Sequence, residues 1–175
     1  MIDYEIVKTS LYDAISSIVT PIEVIFYYPN APRPENPYIT LNLDSLVRIG
    51  DDYIPRPDTD GESTMIGDRE FTLQIQCYGN NCLTTLEKIR SSLQKPSVLD
   101  TLRDDNIVFV NSLNITNITA LLDTEWEQRG AMDLLFRIAN TDEENLGVIE
   151  TVEIEEEFSN GNAVVYSDTV TISSP

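Results

Sequence analysis

The sequence predicts an α+β domain in which two helices pack on an antiparallel sheet, followed by a C-terminal β-hairpin extension. Apolar residues recur at helical spacing in two segments, near the start of the chain and after residue 81. Apolar and polar residues alternate at period two in several other segments, which is typical of strands with one buried face. The 175 residues suit one domain of ordinary size. We expect the α+β core at residues 1–140 and an acidic hairpin arm at residues 141–175.

Residues 3–19 are predicted to form the first helix. Their apolar residues lie at i, i+4, i+7, i+8 and i+11, which places them on one buried stripe. That stripe consists of Val7, Leu11, Ala14, Ile15 and Ile18. Asp3 is suited to accept hydrogen bonds at the helix start. Pro21 ends the run because proline has no backbone N–H to donate.

Extended structure is predicted after this helix. Residues 23–28 are rich in β-branched and aromatic side chains, and the Pro-rich residues 29–37 favour an extended chain. From Tyr38 the chain alternates at period two. The apolar face of this strand consists of Ile39, Leu41 and Leu43. Residues 50–64 carry five acids and two prolines, so we expect a long solvated loop there.

A second long strand, from about residue 69 to residue 78, leads directly into the second helix. The apolar face of the strand consists of Phe71, Leu73, Ile75 and Cys77. Residues 79–81 are predicted to end the strand and cap the helix. The buried stripe of the helix consists of Cys82, Leu86, Ile89 and Leu93. Pro96 ends this helix, and residues 98–103 are predicted to add one further helical turn.

Three later segments of the core are predicted as strands. Residues 107–110 and 113–122 are rich in strand-forming residues, and residues 128–139 alternate at period two. The apolar side of the last strand consists of Met132, Leu134, Phe136 and Ile138. Two helices against such an antiparallel sheet make an α+β domain.

The last 35 residues differ in kind, with nine acids and no Lys or Arg between residues 141 and 175. Residues 148–158 and 163–172 are predicted strands around an Asn-Gly turn at residues 160 and 161. A lone hairpin is marginal in water, so we expect this one to pack on the core or on another subunit. The predicted inter-subunit contacts of this arm are Val152, Ile154, Phe158, Val164 and Tyr166.

Charge and composition exclude several classes of function. The formal net charge is −19 and the pI is about 4.1, which argues against an ordinary nucleic-acid binder and against docking on an anionic membrane. Histidine is absent, which removes histidine-based nucleophile systems and imidazole metal ligands. The two cysteines are expected to be reduced, packed thiols. We expect no cofactor and no membrane partner.

Three motifs that could carry chemistry have simpler interpretations. The glutamates between residues 153 and 157 could bind a divalent cation, but on a strand they fit a solvated side. Residues 56–67 contain a fragment of a calcium-loop pattern that lacks acidic ligands at both ends, so an Asp-Gly turn is the better interpretation. Ser92 and Lys95 fit Ser-x-x-Lys without its partner motifs. We therefore predict no catalytic residue and no metal site.

The polar sides of the predicted strands carry a group of charged and amide residues. This group consists of Arg69, Gln74, Gln76, Arg129, Asp133 and Arg137. It could be an ordinary solvated sheet face. It could also be a subunit interface or channel surface, in which arginines pair with the acids of a neighbouring copy.

Several of these segments together resemble the phage neck or tail terminator family, also called tail-completion proteins. The resemblance rests on the Pro-rich entry into the first long strand at residues 30–41, the strand at 69–79 that leads into the second helix, and the strand at 127–137. Their order, after an N-terminal helix, is similar to that family across about residues 1–140. The hairpin at 141–175 is an addition to the common core.

The resemblance implies a structural virion protein and no enzyme. Such proteins form a ring, typically of six copies, that ends the tail tube and joins it to the head connector. The implied partners are further copies of the chain, the tail tube protein, the head–tail connector or another neck protein, and a sheath protein if the tail is contractile. Genomic DNA would pass through the ring without specific binding. The implied location is the virion neck, with assembly in the host cytoplasm.

Three other functions remain open from the residues. A DNA mimic would explain the charge of −19 directly, as a monomer or dimer that occupies a nucleic-acid-binding cleft. A carboxylate-based, metal-assisted hydrolase would bind a divalent ion in stoichiometric amounts. Another neck protein, such as a stopper or adaptor, would differ from a terminator only in where its ring lies in the virion.

Overall fold

A computed structural model of the chain describes residues 2–27, 32–122 and 124–147, together with the backbone of residues 151–159 and 164–173. The chain forms two compact units. One contains Met1–Tyr53 and Ile66–Asp142, and the other contains Ile54–Met65 and Glu143–Pro175. The division of the chain at residue 140 that the sequence suggests stays a prediction.

Three helices lie in the first unit, where the sequence predicts two. They are α1 (Tyr4–Val19), α2 (Cys82–Ser92) and α3 (Pro96–Asp104). The third helix extends the predicted single turn at 98–103 in both directions. Pro96 begins α3, since the first turn of a helix does not need the N–H that proline lacks.

The two predicted helix starts are built differently. At α1 the Oδ1 atom of Asp3 accepts hydrogen bonds from the backbone N–H of Glu5 at 2.9 Å and of Ile6 at 3.4 Å, as predicted. At α2 the cap residue is Asn81, whose side chain makes no capping hydrogen bond. Asn81 instead adopts a positive φ of 64°, a conformation that asparagine tolerates better than most residues. The predicted cap at residues 79–81 therefore acts through backbone conformation.

Ten strands are seen in the described part of the chain. In chain order they are β1 (Glu23–Phe26), β2 (Tyr38–Tyr53), β3 (Glu62–Tyr78), β4 (Ile107–Ser112), β5 (Thr116–Asn117), β6 (Ala120–Leu122), β7 (Glu125–Glu127), β8 (Arg129–Asn145), β9 (Thr151–Ser159) and β10 (Val164–Ser173). The main sheet has the order β1-β2-β3-β8-β4, and β5 also pairs with β8. Strands β6 and β7 form a separate hairpin.

Most of the sheet is antiparallel, which confirms the predicted α+β class. Strand β2 is antiparallel to β3, and both β4 and β5 are antiparallel to β8. The exception is β1, which pairs with β2 in parallel, with Glu23 beside Tyr38 and Phe26 beside Leu41. Parallel strands cannot be joined by a tight turn, and eleven residues separate the end of β1 from the start of β2.

The long solvated loop predicted at 50–64 is wrong in extent. Strand β2 continues to Tyr53 and β3 begins at Glu62, so the connection is shorter. The register shifts between Leu43 and Leu46 and between Ile49 and Tyr53, and these bulges let the strands pair despite irregular spacing. Because the extended part of β2 is largely exposed, it needs no apolar alternation, and the sequence carries no strand signal there.

The single strand predicted at 113–122 is also wrong, because it is broken into β5 and β6. The Oδ1 atom of Asn117 accepts hydrogen bonds from the backbone N–H and the hydroxyl of Thr119, at 3.0 and 2.6 Å. This local turn competes with sheet pairing and lets β6 leave the main sheet.

The core lies between the helices and one face of the sheet. Phe136 is fully buried and packs against Phe71 and Phe109, with ring centroids 5.5 Å apart in each pair. The predicted buried stripes of both helices and of the three long strands are confirmed, except that Ile18 and Leu43 are only partly buried against the core. Within the described residues, none of the helices is long and apolar enough to cross a membrane.

The second unit contains the predicted C-terminal hairpin. Strands β9 and β10 pair antiparallel, with Ile154 beside Val170 and Phe158 beside Tyr166. The two predicted strands are therefore confirmed, whereas the Asn160-Gly161 turn lies outside the described residues. The side chains of Val152, Ile154, Phe158, Val164 and Tyr166 also lie outside them, and their role as arm contacts stays a prediction.

Candidate interaction surface

Each of the two long strands β3 and β8 has one face that packs against the helices and one face that points away from them. Residues of β3 at 71, 73, 75 and 77, and of β8 at 132, 134, 136 and 138, are buried under the helices. Because successive side chains of a strand alternate, the intervening residues share the other face, called here the polar face. Of the predicted site residues, the polar face holds Gln74, Gln76, Arg129, Asp133 and Arg137.

Arg69 is the exception, and its predicted place on the polar face is wrong. It shares the alternation of Phe71 and therefore lies on the helix-bearing face. Its guanidinium donates two hydrogen bonds, at 2.7 and 2.8 Å, to the carboxylate of Asp52. That carboxylate lies over Gly67, where a Cβ atom would come within 1.8 Å of Asp52 Oδ1. The hydrogen bond from Arg69 lowers the pKa of Asp52, and Arg48 lowers it further. Arg69 thus serves an internal ion pair.

A line of hydrogen bonds runs along the polar side of β3. The Tyr78 hydroxyl donates to Gln76 Oε1 at 2.8 Å, and Gln76 Nε2 donates to Gln74 Oε1 at 3.3 Å. Two of the predicted residues are therefore brought together on one strand. Their amide groups are half-buried, so the line orders this part of the face.

Two tyrosines and two arginines stack at one end of the polar face. Tyr38 and Tyr78 are cross-strand neighbours whose rings lie 4.5 Å apart and nearly parallel. The guanidinium of Arg33 lies 5.5 Å from the Tyr78 ring centroid, and that of Arg129 lies 5.4 Å from it. Burial raises the pKa of Tyr38, although Arg33 opposes this shift. The two rings and the two guanidinium groups therefore form one cation–π cluster.

Glu127 joins this stack to the Pro-rich segment. It is only 9% exposed, and its carboxylate forms ion pairs with Arg33 and with Arg129, the latter at 2.5 Å. It also accepts a hydrogen bond from Asn36 Nδ2 at 3.1 Å. A buried carboxylate is tolerated because three donors compensate for its lost hydration. The base of the β6–β7 hairpin is thereby fixed to the sheet.

Trp126 stands on the outer side of the same hairpin. It is 73% exposed, and its cross-strand partner Leu121 is 55% exposed. Leu122 is also exposed. We call Leu121, Leu122 and Trp126 the Trp126 knob. Sequence reasoning missed these residues, as well as Arg33, Glu127 and the tyrosine pair. A usable signal is that Trp126 is the single tryptophan of the chain and lies between two glutamates.

The remaining predicted residues lie farther along β8. Arg137 Nε donates to Glu70 Oε2 at 2.9 Å across the polar face. Asp133 lies between Arg129 and Arg137 on the same strand and is half-buried. The polar face therefore holds two separate charged groups, one around Arg129 and one around Arg137. Their assignment to a subunit interface or channel stays a prediction.

The described residues offer little for catalytic or metal chemistry. Within them, no group of three or more His, Cys, Asp or Glu residues could hold a metal ion. Burial raises the pKa of the Cys77 thiol to about 12 and raises that of Cys82, and neither forms a disulfide. Asp58 Oδ1 accepts from the N–H groups of Asp60 and Glu62, so the calcium-loop fragment is a turn. The side chains of the glutamates at 153–157 lie outside the described residues.

Comparison with known proteins gives one informative result. A search of curated proteins finds no match to this chain. The family model described as phage neck terminator protein matches residues 9–162. This range includes the main sheet, α2, α3, the β6–β7 hairpin, β9 and all but the start of α1. The match extends past residue 140 and so covers the first strand of the acidic hairpin. The chain belongs to the phage neck terminator protein family, a family of structural proteins of the virion neck and tail.

Proposed function

We propose that this protein forms a ring of six copies that ends the tail tube and joins it to the head connector. The observation that carries the proposal is the family match over residues 9–162. A neck terminator works through contacts with other neck and tail proteins of the virion. The proposed partners are therefore other copies of this chain, the tail tube protein, the head–tail connector and, in a contractile tail, the sheath protein.

The charge of the chain fits a ring through which DNA passes without specific binding. Each copy carries a formal charge of −19, so acidic groups near the channel would repel phosphates. The polar face is the proposed subunit or channel surface. It retains Gln74, Gln76, Arg129, Asp133 and Arg137, whereas Arg69 is left out because Asp52 engages its guanidinium. Assembly of the ring is proposed to occur in the host cytoplasm.

The hairpin β9–β10 is the proposed inter-subunit arm. It forms a two-stranded sheet of its own, and such a sheet gains stability when another surface covers it. A chain that stops after Gly147 keeps every strand of the main sheet and removes only the arm. We expect the truncated chain to keep its cooperative unfolding transition but to assemble less tightly. Unchanged ring formation and head joining would contradict the arm.

The main test is the mass of the particle in solution. Light scattering behind size exclusion should give six times 19.7 kDa, and negative-stain images of that peak should show an open ring. Because the tail tube can act as a template, the same protein should also be added to purified tails that lack it. A monomer that neither caps such tails nor restores their joining to heads would contradict the proposed function and favour a DNA mimic.

A further inference from the structure

We propose that the Trp126 knob of one copy inserts into an apolar cavity on the helix-bearing side of the next copy. This inference rests on the proposed self-assembly and names the residues of the contact. It is drawn from three properties of the first unit: an exposed aromatic anchor on a fixed base, a cavity of matching size, and a separation that prevents one copy from filling its own cavity.

The knob has the properties of a preorganised anchor. Trp126 is 73% exposed, while the adjacent Glu127 is held by Arg33, Arg129 and Asn36. Binding therefore loses little conformational entropy in the hairpin backbone. Tryptophan is among the residues most enriched where binding energy concentrates, since it buries a large apolar area with few rotatable bonds.

The cavity lies between the start of α1 and the edge of the core. Its volume is about 230 Å³, and its apolar lining includes Val7, Leu43, Leu46 and Phe71. The side chains of Lys8 and Asp44 also contribute to its lining. Leu46 is 44% exposed, so the cavity opens to solvent on that side.

The volume suits an indole ring. An apolar cavity of about 150 Å³ holds a benzene molecule. An indole has nine ring atoms where benzene has six, so by the same scaling it needs about 225 Å³. The cavity is thus large enough for the side chain of Trp126 and too small for a folded segment of a partner.

One copy cannot place its own knob in its own cavity. The base of the knob is joined through Glu127, Arg33 and Arg129 to the tyrosine pair on the polar face, whereas the lining of the cavity includes Phe71 on the helix-bearing face. From Tyr38 to Leu46 along β2 the chain covers about 25 Å at 3.3 Å per residue. The contact must therefore join two copies through different surfaces. Such a contact generates a ring when the rotation closes.

The single tryptophan provides a direct readout. Trp126 fluorescence should shift to the blue as the protein assembles, because the indole leaves water for an apolar cavity. On dilution, the emission should return to longer wavelength over the same concentration range in which the mass measured by light scattering falls. Rings that form while the emission stays that of an exposed indole would overturn the inference without affecting the proposed ring.

Two variants remove one side of the contact each. W126A removes the anchor, and L46K places a charge in the cavity. Each should weaken association at least about thirtyfold, as expected for an anchor residue at an interface centre. Tyr27→Ala (an exposed aromatic outside the knob) and Leu83→Lys (an exposed leucine of α2, outside the cavity lining) are the matched controls. Both controls should assemble like the wild type.

A mixture of the two variants gives the sharpest outcome. The W126A chain keeps an intact cavity, and the L46K chain keeps an intact knob. The knob of an L46K chain can therefore enter the cavity of a W126A chain. No third chain can be added, because the remaining knob and the remaining cavity of this pair are both defective. We expect a heterodimer of twice 19.7 kDa and no ring. If both variants instead form rings alone, or cap purified tails as well as the wild type, the inference is wrong. A wild type that fails to assemble and fails to cap tails would defeat the proposed function itself.

Discussion

Trp126 and Glu127 are neighbours in the three-residue strand β7 and occupy opposite environments. Glu127 is almost fully buried and compensated by two arginines, whereas Trp126 is exposed over most of its surface. Successive side chains of a strand point to opposite faces. Because the Glu127 side chain points inward and holds the hairpin in place, the adjacent Trp126 side chain points outward.

Glu127→Ala should destabilise the first unit by about 2–3 kcal/mol. The change leaves Arg33 and Arg129 without their shared carboxylate, and the loss of a buried charged partner has this order of magnitude. Urea unfolding followed by circular dichroism measures the change. Glu125→Ala removes an exposed carboxylate from the same strand and should alter the unfolding free energy by less than about 0.5 kcal/mol. Equal effects of the two substitutions would contradict the stabilising role of the Glu127 ion pairs.

The Asp52–Arg69 pair should make stability depend on pH in the acid range. The folded-state pKa of Asp52 is lowered, chiefly by the hydrogen bond from Arg69, so the pair stabilises the fold above the ordinary Asp pKa of about 3.9. This contribution is lost as pH falls through the lower folded-state pKa. The difference in unfolding free energy between the wild type and Asp52→Asn should therefore narrow steadily below pH 4. A difference that is constant with pH would show that the pair does not lower the pKa.

Cys77 and Cys82 should resist thiol reagents in the folded protein. Burial raises the pKa of Cys77 to about 12, so the reactive thiolate is scarce at pH 8, and both sulfur atoms lie in the core. Ellman's reagent should report no accessible thiol in native buffer and two in urea. Val108→Cys, at an exposed position of β4, should react at the rate of an ordinary thiol. Rapid native labelling of Cys77 would contradict its burial.

Phe136→Ala should cost about 3–5 kcal/mol, because Phe136 is fully buried between Phe71 and Phe109 and its removal leaves a cavity. Chemical denaturation gives the change in unfolding free energy. Val110→Ala truncates an exposed residue of the edge strand and should cost less than about 1 kcal/mol. If Phe136→Ala lowers the unfolding free energy by less than about 1 kcal/mol, Phe136 is not a central residue of the core.

Prediction from sequence succeeded where one periodic face is buried. The stripe from Val7 to Ile15 and the alternation from Phe71 to Cys77 are confirmed because burial selects apolar residues at the period of the element. Prediction failed at residues 50–64, because β2 continues into this segment as a largely exposed strand. An exposed strand is under no selection for alternating apolar residues. The predicted face of Arg69 is also wrong, because charge alone does not decide on which side of a strand a residue lies.

The α+β class, the first helix, the long strands and the two strands of the acidic hairpin were predictable, because they follow from local periodicity and turn chemistry. The family was predictable only as a resemblance of three segments in their order along the chain, and the family match over residues 9–162 confirms it. Periodicity could not predict that Asp52 pairs with Arg69, that Arg33 and Arg129 share Glu127, or that Trp126 is exposed. Such contacts join residues distant in the chain, so they depend on strand register and on the face that each strand turns to the core.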